Sequence, residues 1–599
     1  MVKREGALHA LYRRNLCSYL FVLILIVLSA IVSSYGDDGE WREVKTAQGT
    51  VRGRKDPEGG LYSFYNIPYA TAPKGVERFR EPLAGPVWLQ TLDAVDKGII
   101  CWQPDTPFIK IENQTMQEDC LIANVFVPET EEKNLPVIVS VHGGGFAIGY
   151  GNMMSPKQLV KEKKVIFVTF NYRLGVQGFL CLGSKDVPGN AGLKDQVALL
   201  KWVKKNIARF GGNPDDVTIS GGSAGSMSVS LLMLSKSAEG LFHKVIPESG
   251  ASVSSIAVQI DPLNNAKDFA KRLNFTDVDD FYALEEFYKN IPLKSMMSVS
   301  TISTLKDASM LFGSCIEHQT GNRAFINDSP LNIIKKGKYK KLPVLFGISS
   351  MEGSMYVENF DTWKNDLNEK FSDFLPIDLQ FESEQEKEEV AKKIKQFYFG
   401  YKPVSEENIL AFVEYYSDVL MGYPTYRTAK LHVESGNDQI YLYEYSFVDE
   451  NTPVVPYTNV RGATHCAQTV AVFDGIAFVT NDESNLSQDF KQMKATTREL
   501  WHNFIVNGKP VPEGSSLPAW PATDANGSPH MLLDRVLELR GPFLGKRARF
   551  WDNIYQKYYR EPVPPPQPPP EKHTEIKHYS LQQSVLIMFL CFCIYINIC

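Results

Sequence analysis

Short apolar runs alternate with longer segments of helical periodicity between residues 120 and 250. The apolar runs are rich in Val and Ile, which is typical of strands buried on both faces of a parallel sheet. The segments between them repeat apolar residues at helical spacing. The alternation predicts an α/β fold with a large, mostly parallel central sheet flanked by helices. The predicted strands are residues 121–127, 137–141, 165–170, 217–220, 245–246, 343–348 and 440–447.

Glycines mark the boundaries of the predicted helices. An amphipathic segment over residues 190–210 is followed by Gly211 and Gly212, residues that commonly terminate a helix. In parallel α/β sheets the catalytic residues gather at the carboxyl ends of the strands, so the loops that directly follow the strands are the candidates for chemistry. The other predicted helices are residues 226–234, 391–399, 425–433 and 491–506.

The amino terminus has the pattern of a secretory signal peptide. Basic residues precede an apolar run at 19–32, and small or polar residues follow at 33–36. The run is shorter than the roughly 20 residues that a full membrane span needs. We therefore predict a signal peptide over residues 1–36, with an uncleaved signal anchor as the alternative.

The carboxyl terminus combines a proline-rich segment with an apolar tail. Seven prolines between 562 and 570 predict a stiff polyproline helix, so residues 561–583 are interpreted as a stalk with a polar spacer. Residues 584–599 are apolar, and no charged residue follows Lys577. This pattern fits a GPI-attachment signal near Ser580 or Ser584, and a C-terminal membrane anchor is the alternative.

Composition favours one large domain over residues 37–560. Of the 599 residues, 44% are hydrophobic and 12% aromatic, which supports a substantial core. The net charge of −6 gives no reason to expect nucleic acid or an anionic membrane surface as a partner. The oligomeric state does not follow from the sequence.

Cysteines and sequons favour an extracellular domain. An oxidising compartment permits disulfides, and the odd number of cysteines in the domain leaves one thiol unless the chain pairs with another. Pro330 weakens the sequon at Asn327. The domain cysteines are Cys101, Cys120, Cys181, Cys315 and Cys466, and the candidate glycosylation sites are Asn113, Asn274, Asn327, Asn485 and Asn526.

The segment Gly221-Gly222-Ser223-Ala224-Gly225 joins a β-branched strand to a run of small, helix-compatible residues. Glycines on both sides of a serine allow a sharp strand-to-helix turn, which holds the hydroxyl clear at the end of the sheet. This arrangement predicts a nucleophile elbow with Ser223 at its apex.

A second glycine-rich segment lies upstream, at the end of the predicted strand 137–141. His142-Gly143-Gly144-Gly145-Phe146 can turn its backbone N–H groups into a cavity. The N–H groups of Gly144 and Gly145, with that of Ala224 after the nucleophile, are candidate donors to an oxyanion.

A serine nucleophile needs a base, and the base needs an orienting carboxylate. His465 is the preferred base because it follows the strand 440–447 by a loop, while His530 is second and His318 is a further possibility. Glu352 is the preferred acid because it follows the strand 343–348. Spacing alone does not exclude Glu358 or Asp361.

Several motifs together resemble the type-B carboxylesterase and cholinesterase family, most closely its invertebrate carboxylesterases. The resemblance covers nearly all of residues 41–558. It implies a secreted α/β-hydrolase fold and a serine enzyme that cleaves small-molecule carboxylic esters through an acyl-enzyme, without cofactor or metal. It also implies a Ser223, Glu352 and His465 triad, oxyanion donors at Gly144, Gly145 and Ala224, and a Cys101–Cys120 disulfide. The motifs are residues 66–70, 118–121, 142–146, 171–176, 189–202, 210–225 and 462–465.

The sequence departs from this family at several positions. Gly222 stands where a glutamate is usual and juvenile hormone esterases typically have a glutamine, and Gln468 stands where an acidic residue is common. The family's second disulfide has no counterpart, because no cysteine lies between Cys181 and Cys315. A choline ester needs an aromatic face for its ammonium group. The only tryptophan in the short loop between Cys101 and Cys120 is Trp102, beside the first cysteine, so choline specificity is not expected.

Two alternatives differ from this interpretation. One is a cell-surface adhesion protein on the same fold, since the family includes such members and fold does not decide function. Adhesion members generally lack the triad, and all three positions are filled here. The second alternative is a serine esterase with the substrate specificity of a juvenile hormone esterase or a cholinesterase.

Overall fold

A computed structural model describes residues 40–96, 98–106, 111, 114–299, 306–318, 324–475 and 483–570. The predicted signal peptide, the apolar tail and Asn113 lie outside the described residues. Within the part that the structure describes, none of the helices combines the length and apolar character needed to span a bilayer.

One sheet of 13 strands forms the centre of the molecule. Its strands run in the order β1-β2-β3-β9-β11-β10-β12-β13-β14-β15-β16-β17, and β6 pairs with β2. The strands from β11 to β16 are parallel to one another, while β1, β2, β3, β9 and β17 pair antiparallel at the two ends. The strands are β1 Trp41–Lys45, β2 Thr50–Lys55, β3 Leu61–Pro68, β4 Ala70–Thr71, β5 Leu83–Ala84, β6 Leu92–Asp93, β7 Ile99–Cys101, β8 Thr115–Gln117, β9 Ile122–Pro128, β10 Leu135–Val141, β11 Ile166–Phe170, β12 Gly212–Gly222, β13 Lys244–Glu248, β14 Val344–Ser349, β15 Ile440–Tyr445, β16 His530–Leu533 and β17 Glu538–Arg540.

Helices cover the faces of this sheet, as the alternating pattern predicts. The predicted helices are all present, each with bounds shifted by a few residues. The helices are α1 Lys157–Lys163, α2 Gly175–Phe179, α3 Ala191–Asn206, α4 Ala224–Leu232, α5 Pro262–Arg272, α6 Phe281–Asn290, α7 Leu293–Met297, α8 Pro330–Lys336, α9 Phe360–Glu369, α10 Glu384–Phe399, α11 Ile409–Ser417, α12 Tyr423–Glu434, α13 Ala467–Val472, α14 Gln488–Asn507 and α15 Lys546–Tyr558.

The α/β fold with a mostly parallel sheet is confirmed, and every strand predicted from an apolar run is found. The central strands β11, β13 and β14 are buried along their whole length, which explains why apolar residues predominate in their sequences. The antiparallel strands at the amino-terminal edge were not predicted. They mix charged and apolar residues because one face of each is exposed.

Two disulfides fasten loops around the carboxyl ends of the strands. Cys101 is bonded to Cys120 across 19 residues, and Cys181 is bonded to Cys315 across 134 residues. The sequence left the partners of Cys181 and Cys315 open. A side chain at Gly189 would collide with both sulfurs of this second bridge, so the backbone there must lack a Cβ.

Residues 561–570, the start of the predicted stalk, lie along the surface of the domain. Pro562 and Pro565 are buried, while the residues between them are half-buried or exposed. A buried position at every third residue is what a polyproline helix presents to a flat surface. The Tyr282 hydroxyl also donates to the Pro569 carbonyl at 2.5 Å. This part of the segment therefore packs on the domain over its described length.

Candidate active site

Ser223 sits at a strained turn between β12 and α4. Its φ of 58° and ψ of −125° are unfavourable for a residue with a side chain. Its backbone N–H donates to the Glu248 carbonyl at 2.9 Å, which holds the turn against β13. A Cβ at Gly225 would lie 2.1 Å from the Val141 carbonyl oxygen, so glycine is required where α4 crosses β10. These contacts explain the glycine pattern of the elbow.

The glycine-rich loop after β10 lies beside this turn. Gly144 and Gly145 have φ values of 104° and 59°, in the region that favours glycine. The Tyr172 hydroxyl donates to the His142 carbonyl at 2.9 Å, and its ring stacks on the His142 ring. Burial lowers the pKa of His142 to about 4, so the ring is neutral and supports the loop by packing.

The backbone N–H groups predicted as oxyanion donors are available. Among the described residues, those of Gly144, Gly145 and Ala224 donate no hydrogen bond within the protein. All three residues line the same cavity as Ser223. The arrangement can place several donors around one oxygen atom of a bound carbonyl group.

His465 and Glu352 form a directly contacting pair. His465 Nδ1 is 2.5 Å from Glu352 Oε2. Glu352 is fully buried, and its other oxygen accepts from the Ser349 N–H at 2.7 Å and from the Ser249 hydroxyl at 2.5 Å. The carboxylate is thus held in one orientation toward the imidazole. This is the base–carboxylate arrangement that serine hydrolysis uses.

The pKa of His465 reflects these neighbours. Burial lowers it, but the interactions of the ring with Cys466 and Glu352 outweigh burial and raise the pKa of His465 well above its usual value. The imidazolium form is therefore favoured once a proton has been taken up. That form is the one that later donates a proton to a leaving group.

Gln468 connects the two serines that support Glu352. Its side-chain N–H donates to the Ser249 hydroxyl at 2.6 Å, and its carbonyl oxygen accepts from the Ser349 hydroxyl at 2.5 Å. A neutral amide can donate on one side and accept on the other, which an ionised carboxylate cannot do. Gln468 stands where an acidic residue is common in the family. Its amide completes a closed hydrogen-bond network behind Glu352. Ser249 and Ser349 carry no sequence signal that would have identified them.

The other residues considered for base and acid lie in different surroundings. The loop predicted around His530 is wrong, because the residue belongs to β16, and its Nδ1 is 2.7 Å from the Gly541 carbonyl. His318 contacts the proline-rich segment, Asp361 is exposed and accepts from a tyrosine, and Glu358 is exposed on the cavity wall. None of these four forms a histidine–carboxylate pair within the described ranges.

A cavity of about 730 Å³ contains Ser223 and His465. This volume lies within the usual range for small-molecule sites. Its wall is largely apolar and includes four aromatic rings, while no tryptophan belongs to it among the described residues. Methionine is unusually frequent, at Met153, Met154, Met227, Met310, Met355 and Met421.

Two further ionisable groups lie next to the elbow. The thiol of Cys466 is free and is 3.6 Å from His465 Nε2. Glu248 is almost completely buried, and burial raises its pKa to about 8 against the opposing effect of the nearby Thr469 hydroxyl. The carboxyl group of Glu248 is therefore protonated at neutral pH.

An α/β sheet with an elbow serine, a paired histidine and glutamate, and exposed N–H donors in one cavity defines a serine hydrolase of the α/β class. The chain belongs to the carboxylesterase family, whose family model matches residues 40–551.

Relatives with curated names are esterases. The chain is 32% identical over 502 residues to juvenile hormone esterase of Heliothis virescens, covering 80% of this chain and 87% of that protein. It is also 32% identical over 488 residues to esterase FE4 of Myzus persicae, covering 78% and 83%. It is 31% identical over 521 residues to para-nitrobenzyl esterase of Bacillus subtilis, covering 85% and 98%.

The solved structures that resemble this chain include esterases. Juvenile hormone esterase from Manduca sexta, with OTFP covalently attached, superimposes with a TM-score of 0.76 at 30% identity. The match covers 86% of this chain and 100% of that one. The protein is a serine carboxylic ester hydrolase, and the comparisons do not favour the adhesion alternative.

Proposed function

We propose that Ser223, His465 and Glu352 are the catalytic triad of this esterase. The contact between His465 and Glu352 at 2.5 Å, in the cavity that also contains Ser223, carries the proposal. His465 takes the proton of the Ser223 hydroxyl as that oxygen attacks the ester carbonyl. Glu352 keeps the proton on Nδ1 and stabilises the imidazolium. His465 then protonates the leaving alcohol, and water attacks the acyl-enzyme with His465 again as base.

The oxyanion of each tetrahedral intermediate is assigned to the N–H groups of Gly144, Gly145 and Ala224. Their lack of partners among the described residues supports this role, because preorganised donors of this kind stabilise charge that develops during the reaction. Removing one such donor commonly costs about 3 kcal/mol of transition-state stabilisation.

The substrate is proposed to be a neutral ester with a sizeable apolar acyl or alcohol group. The cavity wall is largely apolar, and methionine side chains adapt to irregular apolar groups. A cationic alcohol such as choline lacks a tryptophan partner among the described lining residues. We expect p-nitrophenyl butyrate and octanoate to be hydrolysed with a higher kcat/KM than acetylthiocholine.

The test of the triad compares two serine variants. Ser223→Ala should abolish labelling by a fluorophosphonate probe and lower kcat by at least about a thousandfold, because the nucleophile is removed. Ser226→Ala is the matched control, since Ser226 lies in the first turn of α4 with its hydroxyl on the Gly250 carbonyl. This control should still be labelled.

Retained labelling and turnover in Ser223→Ala would exclude Ser223 as the nucleophile. A folded wild-type protein that is not labelled would contradict the triad as a whole. Circular dichroism of both variants establishes that they are folded.

We also propose that the enzyme works outside the cell, glycosylated and attached to the membrane through its carboxyl-terminal tail. The leader and the tail of the sequence support this location. The two disulfides belong to an oxidising compartment. The four described sequon asparagines, Asn274, Asn327, Asn485 and Asn526, are all exposed.

A further inference from the structure

Cys466 places a thiol against the base of the active site. Its Sγ is 3.6 Å from His465 Nε2, while Glu352 holds the opposite nitrogen of the same ring at 2.5 Å. The thiol is free and partly exposed, and Cys466 lines the same cavity as Ser223. His465 Nε2, the atom to which the proposed function assigns the Ser223 proton, therefore also has a thiol as a neighbour.

In cysteine enzymes, an adjacent base activates the thiol nucleophile, and a third group orients the base. The thiolate is the reactive form, and a histidine that accepts the proton favours it. Cys466, His465 and Glu352 supply these three parts in contact with one another. The surroundings of Cys466 therefore favour reaction of its thiol.

A small niche adjoins the thiol because Gly222 has no side chain. A Cβ on Gly222 would lie 3.3 Å from Cys466 Sγ and 3.2 Å from Thr469 Oγ1. Thr469 is 4% exposed, and its hydroxyl lies near the Glu248 carboxyl group but makes no well-aligned hydrogen bond among the described residues. An unsatisfied buried hydroxyl is unfavourable and is normally paired with protein, water or ligand. Because Gly222 has no side chain, this face of the sulfur stays open to the cavity, and the Thr469 hydroxyl offers a hydrogen-bonding group to a substituent on the sulfur.

We propose that Cys466 is a covalent modification site that takes up a small thiol by exchange with a low-molecular-weight disulfide, and that this modification reversibly stops ester hydrolysis. The Cys466 proton passes to His465 Nε2, and the thiolate attacks one sulfur of the disulfide. The S–S bond of the reagent breaks as the new S–S bond forms. The displaced thiolate leaves and takes up the proton from His465.

The position of Cys466 explains why its modification would stop ester hydrolysis. A group on the Cys466 sulfur occupies the cavity between Gly222 and His465, where the ester carbonyl has to lie beside the elbow. It also stands at Nε2, the atom that accepts the Ser223 proton. The inhibition rests on the proposed role of His465 in hydrolysis, whereas the exchange reaction does not require Ser223.

The experiment treats the full-length protein with 2-hydroxyethyl disulfide, a small neutral probe. Peptide mass spectrometry should find the hydroxyethylthio group on Cys466, and esterase activity should fall with the same time course. A mild thiol reductant should restore activity. In the Cys466→Ala variant, treatment with 2-hydroxyethyl disulfide should leave the rate of ester hydrolysis at its value before treatment.

Two variants separate this proposal from the proposed triad. Ser223→Ala should react with the probe at the wild-type rate although it hydrolyses no ester. Glu352→Gln should react about tenfold more slowly at pH 7 and should shift the pH profile of the exchange, because the imidazole loses its orienting charge.

Exchange at Cys466 no faster than at a cysteine of the urea-unfolded chain would overturn the proposal. Full esterase activity after complete modification would overturn it as well. If Ser223→Ala hydrolyses esters while the exchange proceeds as described, the triad fails and the modification site stands.

Discussion

Single residues at the active site determine which groups carry protons. His142 is neutral because burial lowers its pKa, while the contacts of His465 with Cys466 and Glu352 raise its pKa well above the usual value in spite of burial. Glu248, on the strand next to the elbow, has no charged partner among the described residues, and burial raises its pKa to about 8, so it keeps its proton at neutral pH. Glu352 is as deeply buried as Glu248, but it has hydrogen-bond partners on both of its oxygens.

Glu248 should make stability depend on pH. The unfolded chain releases this proton above a pKa near 4.5, while the folded protein keeps it up to about pH 8. The unfolded state therefore binds fewer protons in this interval, and stability falls as the pH rises, by about 1.4 kcal/mol per pH unit. Glu248→Gln removes this effect, so it should raise stability relative to wild type more at pH 8 than at pH 5.

Urea unfolding of wild type and Glu248→Gln at both pH values measures this difference. Other titrating groups cancel because they are the same in both proteins. Parallel pH dependence of the two urea midpoints would show that Glu248 is ionised in the folded protein.

At the scale of elements, the geometry of the candidate active site depends on how closely α4 packs against the neighbouring strands. α4 begins at Ser223, the proposed nucleophile, and crosses the end of β10, whose following loop carries the candidate oxyanion donors. α13 begins two residues after His465 and brings Gln468 back to the carboxyl ends of β13 and β14. The backbone contacts between these elements set the distances among the catalytic groups.

Gly225→Ala tests the close approach of α4 and β10. Intrinsic helix propensity favours alanine over glycine by about 1 kcal/mol. The new Cβ would nevertheless lie 2.1 Å from the Val141 carbonyl oxygen, so the helix or the strand has to move. We expect a lower thermal midpoint and a loss of kcat/KM of at least about tenfold.

Gly541→Ala is the matched control, because no atom lies within 4 Å of a Cβ at that position. It should change neither the thermal midpoint nor kcat/KM appreciably. A Gly225→Ala enzyme with wild-type activity and midpoint would mean that glycine is not required at the elbow.

At the scale of the whole molecule, covalent and surface contacts tie distant segments together. The Cys181–Cys315 bridge closes a loop of 134 residues, so it restricts the unfolded chain more than the Cys101–Cys120 bridge does. The segment 561–570 lies along the domain, with Pro562 and Pro565 buried. The start of the proposed stalk is therefore held on the domain surface.

Expression of the full chain in cultured eukaryotic cells tests the proposed location. We expect surface-exposed esterase activity, a lower apparent mass after removal of N-linked glycans, and release by a phospholipase that cleaves GPI anchors. Free enzyme in the medium without phospholipase would contradict the anchor. Retention in the cytosol without glycans would contradict the extracellular location altogether.

The sequence alone determined the fold class, the elbow and the family. Buried parallel strands need continuous apolar runs, and a sharp turn packed against another strand needs glycine, so both leave a local record in the chain. The preferred acid and base could also be named, because loops after strands meet at one edge of the sheet. Their contact at 2.5 Å is a property of the folded protein.

Only the tertiary structure decided what surrounds these residues. Cys181 and Cys315 are 134 residues apart, and nothing local to either indicates the bond. Ser249, Ser349 and Gln468 support Glu352 through side-chain orientations that no sequence pattern encodes. The thiol of Cys466 meets His465 Nε2 only because of the backbone bend at Cys466, whose φ is 60°. Such contacts join segments that are brought together by packing of the whole sheet, which is why they could not be read from the chain.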